Sequence, residues 1–261
     1  MICSDKKFLF VRVPKTASST LSIALREQDF PASSGEVLSL SFGGGERRER
    51  ANIDPVPVES KYIEFLNLSG APVSNIHSSL TQWSKRQDVR NYFKFSFVRN
   101  PWDWMVSQYT FLKKIYYRRV KREKQGRPSS KDFFKQRRHL LSEKLNLFGV
   151  SFSDFRNDPD VLTFDKYIET YFSADNFNKT QSAFLKDLEG ALGVDFIGRF
   201  ESLQEGWDFI SQKTGLKHAE LKQTNSSLAR GPYRDYYKSK DTKKIVTEGL
   251  SEDIEAFNYE F

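Results

Sequence analysis

Cysteine, histidine and methionine are scarce: the 261 residues hold one Cys, three His and two Met. A lone Cys3 cannot close an internal disulfide, and one Cys with three His falls short of a structural zinc cluster. Disulfide scaffolds and zinc modules are excluded. Long apolar runs are missing too, since nothing approaches the about 18 consecutive apolar residues read as a membrane-spanning helix. Ser4, Asp5, Lys6 and Lys7 precede only a short apolar run, unlike a secretory signal, so a cytoplasmic protein is expected. There is no internal repeat and no low-complexity tail.

What is present favours a folded globular chain. Apolar residues make up 38% and aromatics 15%, with 23 Phe and 11 Tyr, too much large apolar surface to remain solvated. The formal charge is +7, from 41 Lys and Arg against 34 Asp and Glu, and it is unevenly spread. Residues 113–138 hold 12 Lys or Arg against Glu123 and Asp132, leaving the rest of the chain mildly acidic. Such a run is a solvated helix and loop, or a surface for a polyanion such as an anionic glycan or a nucleic acid. Tyr116, Tyr117, Phe133 and Phe134 interleave with the charges, placed to stack on sugar rings or to pack inward.

The pattern along the chain is strand, polar turn, helix, twice over. Phe8 to Val13 reads as a buried strand stopped by Pro14, and the helix after it carries Leu21, Ala24 and Leu25, with Ser18 or Ser19 as its cap. Residues 31–75, with Gly43–Gly45, Pro55, Pro57 and Pro72, read as a loop-rich insertion. Helical spacing is expected over Thr81–Phe93, then a second strand over Lys94–Val98. Asn100 and Pro101 start a helix, because Asn accepts from free N–H groups and Pro at the first position loses no hydrogen bond. That helix carries Trp102, Met105, Val106, Tyr109 and Leu112 on one side and ends near Gly126 and Pro128. Further helices are expected over Thr163–Phe172, Asn178–Leu188, Glu201–Thr214 with Gly215 as its stop, and Thr242–Phe257. A third strand is expected over Val194–Phe200. Strands alternating with helices make one α/β domain over 1–261, a P-loop-type parallel sheet flanked by helices on both faces, with ligand sites at the carboxyl ends of its strands.

Both polar turns sit at those ends. The first, V-P-K-T-A-S-S-T-L, offers a lysine, hydroxyls and backbone N–H groups at a helix start, which suits a phosphate-like anion. It lacks the G-x-x-x-x-G-K-[ST] spacing of nucleotide triphosphatases. The second, F-S-F-V-R-N-P-W-D-W-M-V-S-Q-Y, places Arg99 at a strand end and Ser107 two helical turns onward, a fork and a hydroxyl suited to a second phosphate.

Together these segments resemble the two nucleotide signatures of sulfotransferases that use 3′-phosphoadenosine 5′-phosphosulfate (PAPS), most closely the carbohydrate type, which includes the heparan sulfate 2-O and chondroitin enzymes and bacterial relatives. The likeness extends through Q-S-A-F-L at 181–185, V-D-F-I-G-R-F-E-S-L at 194–203, N-S-S at 225–227 and Y-R-D-Y-Y at 233–237. Trp104 departs from it, standing where the family usually has Arg.

The resemblance implies that Lys15 contacts the transferring sulfonate, within a cradle of Arg12, Pro14, Lys15, Thr16, Ala17, Ser18, Ser19 and Thr20. It implies that Arg99 and Ser107 hold the 3′-phosphate, with Arg230 a further phosphate ligand. His77, in N-I-H-S-S-L, matches the position of a histidine in that family and is implied to be the base that takes the acceptor proton. His139 and His218 read as ordinary surface residues. The implied reaction is sulfonate transfer from PAPS to a hydroxyl, most simply of a carbohydrate, without a metal. A P-loop kinase and a non-catalytic polyanion-binding protein are the alternatives.

Overall fold

The computed structural model describes residues 2–3, 6–28, 79–84, 89–125, 145, 148–173, 180–221 and 230–261. In chain order the elements used below are β1 (Ile2–Cys3), β2 (Phe8–Phe10), α1 (Ser18–Arg26), α2 (Leu80–Trp83), β3 (Phe93–Val98), α3 (Pro101–Lys124), α4 (Phe152–Asn157), α5 (Phe164–Ser173), α6 (Ser182–Leu185), β4 (Phe196–Arg199), α7 (Leu203–Thr214), α8 (Lys240–Gly249) and α9 (Ser251–Phe257). The insertion at 31–75, and residues 126–138 of the basic segment, lie outside the described residues. Two compact units are formed, one from Met1–Phe97 with Ala183–Lys222, the other from Val98–Ser182 with Gln223–Phe261.

The first unit is the α/β part. Its sheet runs in the order β1-β2-β3-β4, with three parallel strands and β1 added antiparallel through Ile2↔Leu9 and Cys3↔Phe8. Parallel pairing of β2 with β3 sets Phe8 opposite Phe93 and Phe10 opposite Phe95, and the Val11 N–H continues the ladder by donating to the Phe95 carbonyl at 2.9 Å. Alternation then puts Phe8, Phe10, Phe95 and Phe97 on one face, where they pack with Leu21, Ala24 and Leu25 of α1 and Trp207 and Ile210 of α7. Leu9, Val11 and Ser96 point the other way and are equally buried. Strands buried on both faces read as near-continuous apolar runs, as FLFV does.

Phe10 stacks on Phe95 with centroids 5.0 Å apart, and meets Phe97 edge-on at 6.5 Å. The Phe97 ring in turn lies against two glycines. A Cβ placed at Gly198 would stand 2.4 Å from it, and one at Gly206 2.7 Å. These glycines are required by close approach.

Several local expectations are corrected. Of the helix expected over Thr81–Phe93 the described residues show the four of α2, while residues 85–88 lie outside them; Phe93 is in the sheet instead, paired with Phe8 and donating its N–H to the Lys7 carbonyl. The one expected over Asn178–Leu188 is present in the described residues as α6 alone. Its extension is cut by a turn in which the Asp187 carboxylate accepts from the Glu189 and Ala191 N–H groups at 2.9 and 3.1 Å. α7 begins at Leu203, preceded by a 3-10 turn over Phe200–Ser202, and ends on Gly215 at φ 65° as expected.

The second unit is helical. Tyr109 of α3 donates to the Leu162 carbonyl at 2.7 Å and meets Phe164 and Tyr167 of α5 at 5.4 and 5.6 Å. Tyr116 is fully buried against Phe155 of α4, at 5.3 Å, so of the interleaved aromatics it is core rather than a sugar platform. The single helix expected over Thr242–Phe257 is two, α8 and α9, parted at Leu250 where the backbone turns to φ −118°, ψ 22°. Gly249 stands there because a Cβ would meet the Phe172 ring at 2.3 Å. α4 was not signalled by the sequence pattern.

Gly198→Ala tests the packing of the first unit. Forcing a methyl into the Phe97 ring should destabilise the protein by about 1–3 kcal/mol in urea denaturation, and unchanged stability would contradict the close approach.

Candidate anion-binding site

The first polar turn leaves β2 and enters α1. Its chain is held in an uncommon conformation: Lys15 and Ala17, neither a glycine, sit at φ 66° and φ 62°. Such left-handed positions cost L-residues on the order of 1 kcal/mol each and persist where the surroundings impose them. Here the imposition is visible. The Thr16 and Ser18 hydroxyls both donate to the Val13 carbonyl, at 3.0 and 2.7 Å, closing the turn back on the strand end. Neither Ser18 nor Ser19 therefore caps the helix as expected; the N-cap is Ala17, with no side-chain cap. Ser18 instead receives the Ser22 hydroxyl on its carbonyl at 2.6 Å.

Within the turn Thr16, Ser18 and Thr20 are buried, Ser19 is exposed, and Arg12, Pro14, Lys15 and Ala17 are half-buried. What the loop can do chemically follows from this. A cation and the positive end of α1 sit on a backbone whose shape is fixed by hydroxyls bonded inward, a preorganised cradle for an anion.

The second polar turn belongs to the second unit. Asn100 caps α3 as expected, its Oδ1 accepting from the Trp102 and Asp103 N–H groups at 3.1 and 3.3 Å. Its Nδ2 donates to the Glu260 carbonyl at 2.9 Å. The cap fixes Arg99, Asp103 and Ser107 at intervals of four on one side of the helix start. All three are buried. Arg99 bonds Asp103 Oδ2 through Nε at 2.7 Å and through its terminal nitrogen at 2.6 Å. Arg230 bonds the other carboxylate oxygen, Oδ1, at 2.5 Å. One carboxylate thus aligns two guanidinium groups that are 131 positions apart in sequence, and the trio carries one positive charge in excess. Trp104, the departure from the family pattern, is buried in the core.

Arg99 is also held by its main chain. Its N–H donates to Gln181 Oε1 at 2.9 Å, and its carbonyl accepts from Gln181 Nε2 at 2.8 Å. Gln181 and Ser182 donate their own N–H groups to the two carboxylate oxygens of Asp253, at 2.6 and 2.8 Å. Burial pushes the Asp253 carboxyl above its ordinary range, opposed by the hydrogen bonds from Gln181 and Ser182.

Sequence reasoning named Arg99, Ser107 and Arg230 but missed Asp103, Gln181 and Asp253 as partners. Asp103 could have been found from its i, i+4 spacing to Arg99. Asp253 falls on the apolar stripe Val246, Leu250, Asp253 and Phe257, and a carboxylate at a core position is a signal in itself. His77 and His139 lie outside the described residues, as does the N-S-S run at 225–227. His218 is exposed, with Nδ1 3.2 Å from Asp208, as an ordinary surface residue would be.

The first unit thus carries a phosphate-type turn at the end of a parallel strand, and the second carries an arginine pair aligned on one buried carboxylate. The model of the sulfotransferase family matches residues 1–260, and this chain belongs to that family. No curated protein and no solved structure matches it. It is therefore an enzyme of sulfonyl transfer to a hydroxyl-bearing acceptor. Among the described residues no group of three or more His, Cys, Asp or Glu is gathered as metal ligands, and no helix is long and apolar enough to cross a membrane.

The Asp253 shift makes a pH prediction. A carboxyl with a raised folded pKa favours the folded state when protonated, so its contribution is full below the ordinary Asp value of about 4 and is lost as pH rises through the folded value. The stability advantage of the parent over Asp253→Asn should therefore shrink as denaturation is repeated from about pH 4 upward to about pH 7. An advantage that grows over that range would contradict it.

Proposed function

We propose that the protein transfers the sulfonate of PAPS to a hydroxyl of a carbohydrate acceptor. The observation that carries this reading is the arginine pair on Asp103 with Ser107 one turn further on, since a buried cationic fork beside a hydroxyl suits a phosphate monoester. The turn at 14–20 supplies a separate cradle suited to the phosphosulfate end. In this reading PAPS, when bound, supplies an electrophilic sulfur on a phosphate leaving group.

The roles of the chain's own residues follow. His77 accepts the proton of the acceptor hydroxyl as its oxygen forms the new bond to sulfur. Lys15 and the start of α1 stabilise the electron pair that leaves with the phosphate oxygen, as preorganised donors do. Arg99, Ser107 and Arg230 hold the nucleotide by its 3′-phosphate, away from the bonds that change. Proton, sulfonate and leaving group are all accounted for without a metal.

The basic segment suits an anionic glycan. On α3 the side chains of Phe111 and Tyr117 are 45% and 58% exposed, with Lys114 and Lys121 between and beyond them on the same side. Rings for sugar faces and ammonium groups for acid or sulfate substituents fit a charged polysaccharide. Lys113 is engaged elsewhere, 2.6 Å from Asp160, and that contact raises the affinity of Lys113 for its proton against the effect of burial.

Three variants separate the roles. In assays of sulfonate transfer and nucleotide binding, Lys15→Ala should lower turnover by about 100-fold or more while nucleotide still binds. Arg99→Ala should chiefly weaken nucleotide binding, and His77→Ala should abolish transfer while sparing nucleotide affinity. Equal turnover and binding in all three would overturn the assignment.

A further inference from the structure

We propose that Gln181, oriented by Asp253, is a positioning residue that sets the main-chain pose of Arg99 and so governs discrimination for the nucleotide's 3′-phosphate. The proposal rests on the reading of Arg99 as a ligand of that phosphate.

Arg99 follows the last residue of β3, where the sheet ladder has stopped, and its buried N–H and carbonyl still require partners. A side-chain amide supplies both, at 2.9 and 2.8 Å. One such bond would hold only one of the two peptide groups that flank Arg99. Two, made by the rigid plane of a single amide, hold both and so restrain the backbone dihedrals between them.

The amide is itself fixed. Gln181 is fully buried, and the main chain at 181 and 182 is pinned to both carboxylate oxygens of Asp253, also fully buried. Burying a carboxylate and an amide is costly unless every polar atom is used, and an apolar residue would fill the same volume at less expense. The Gln181 amide directs its oxygen and its nitrogen to the backbone of one residue, the one whose guanidinium rests on Asp103, and Asp253 holds the chain that carries that amide. The side chain and the main chain of Arg99 are thus set independently, which is what recognition of a dianion in one orientation needs. Gln181 opens the Q-S-A-F-L run, to which the sequence alone assigns no role.

The test measures, on the full chain, the dissociation constants of 3′-phosphoadenosine 5′-phosphate and of adenosine 5′-phosphate by calorimetry; their ratio reports 3′-phosphate preference. Arg99→Ala is the reference and should remove the preference. Gln181→Leu, which loses both bonds, should reduce it by about 10-fold while the affinity for adenosine 5′-phosphate stays within about twofold. Gln181→Glu is nearly isosteric and keeps the acceptor for the Arg99 N–H, so it serves as the second variant should the leucine variant fail to fold, and it should show a smaller loss in the same direction. A preference intact in both Gln181 variants but lost in Arg99→Ala, whatever happens to Tm, would make Gln181 merely structural and overturn the proposal. A preference intact in Arg99→Ala would overturn the reading of Arg99, and the proposal with it.

Discussion

One carboxylate carries the logic of the candidate site. Asp103 gives an oxygen to each of two arginines, the buried Arg99 and the half-buried Arg230, and a guanidinium group taken out of water is stable only when its charge is met. The trio it forms is balanced to one excess positive charge, neither so cationic that it repels itself apart nor so neutral that an anion gains nothing by approaching. Much of the second unit serves this arrangement. Asn100 fixes the start of α3, the carbonyl of Glu260 fixes Asn100, and Gln181 with Asp253 fixes the peptide of Arg99. The Tyr237 hydroxyl, bonded to the Trp102 carbonyl at 2.9 Å, tightens the same helix end, and burial holds that phenol protonated far above the ordinary tyrosine range.

The turn before α1 solves a related problem by different means. Glycine-rich phosphate loops reach left-handed backbone through glycine; here Lys15 and Ala17 adopt it, and two hydroxyls bonded to one carbonyl hold them there. The strain is local and its compensation is local. The consequence for chemistry is that Thr16 and Ser18 spend their protons on the loop. In the proposed function, anion binding there falls to groups other than the protons of these two hydroxyls. This division of labour gives the hydroxyls of that motif a reason that differs from direct ligation.

Much of this was legible in the residues, and the parts that were not have definite causes. Phe8–Phe10, Phe93–Val98 and the Asn100-Pro101 start are readable because local signals and the fold agree there: β-forming aromatics in a buried run, and a cap with a mechanism. The end of α6 was misread because Asp187 competes for backbone N–H groups, a side-chain effect that helical periodicity does not register. The break between α8 and α9 depends on a glycine meeting Phe172, a contact 77 positions away. Arg99, Ser107 and Arg230 could be named from motifs, while Gln181 is visible as a partner only once the end of β3 is seen to lack a ladder.

The central claim is that the chain recognises a nucleotide bearing a 3′-phosphate. The most direct test is the shift in melting temperature produced by 3′-phosphoadenosine 5′-phosphate, beside ADP and Mg-ATP, since a ligand that binds only the folded state stabilises it by mass action. A rise confined to the 3′-phosphorylated nucleotide is the predicted result. A rise with Mg-ATP alone would point to phosphoryl transfer and contradict the account, and no rise with any of the three would contradict nucleotide recognition altogether.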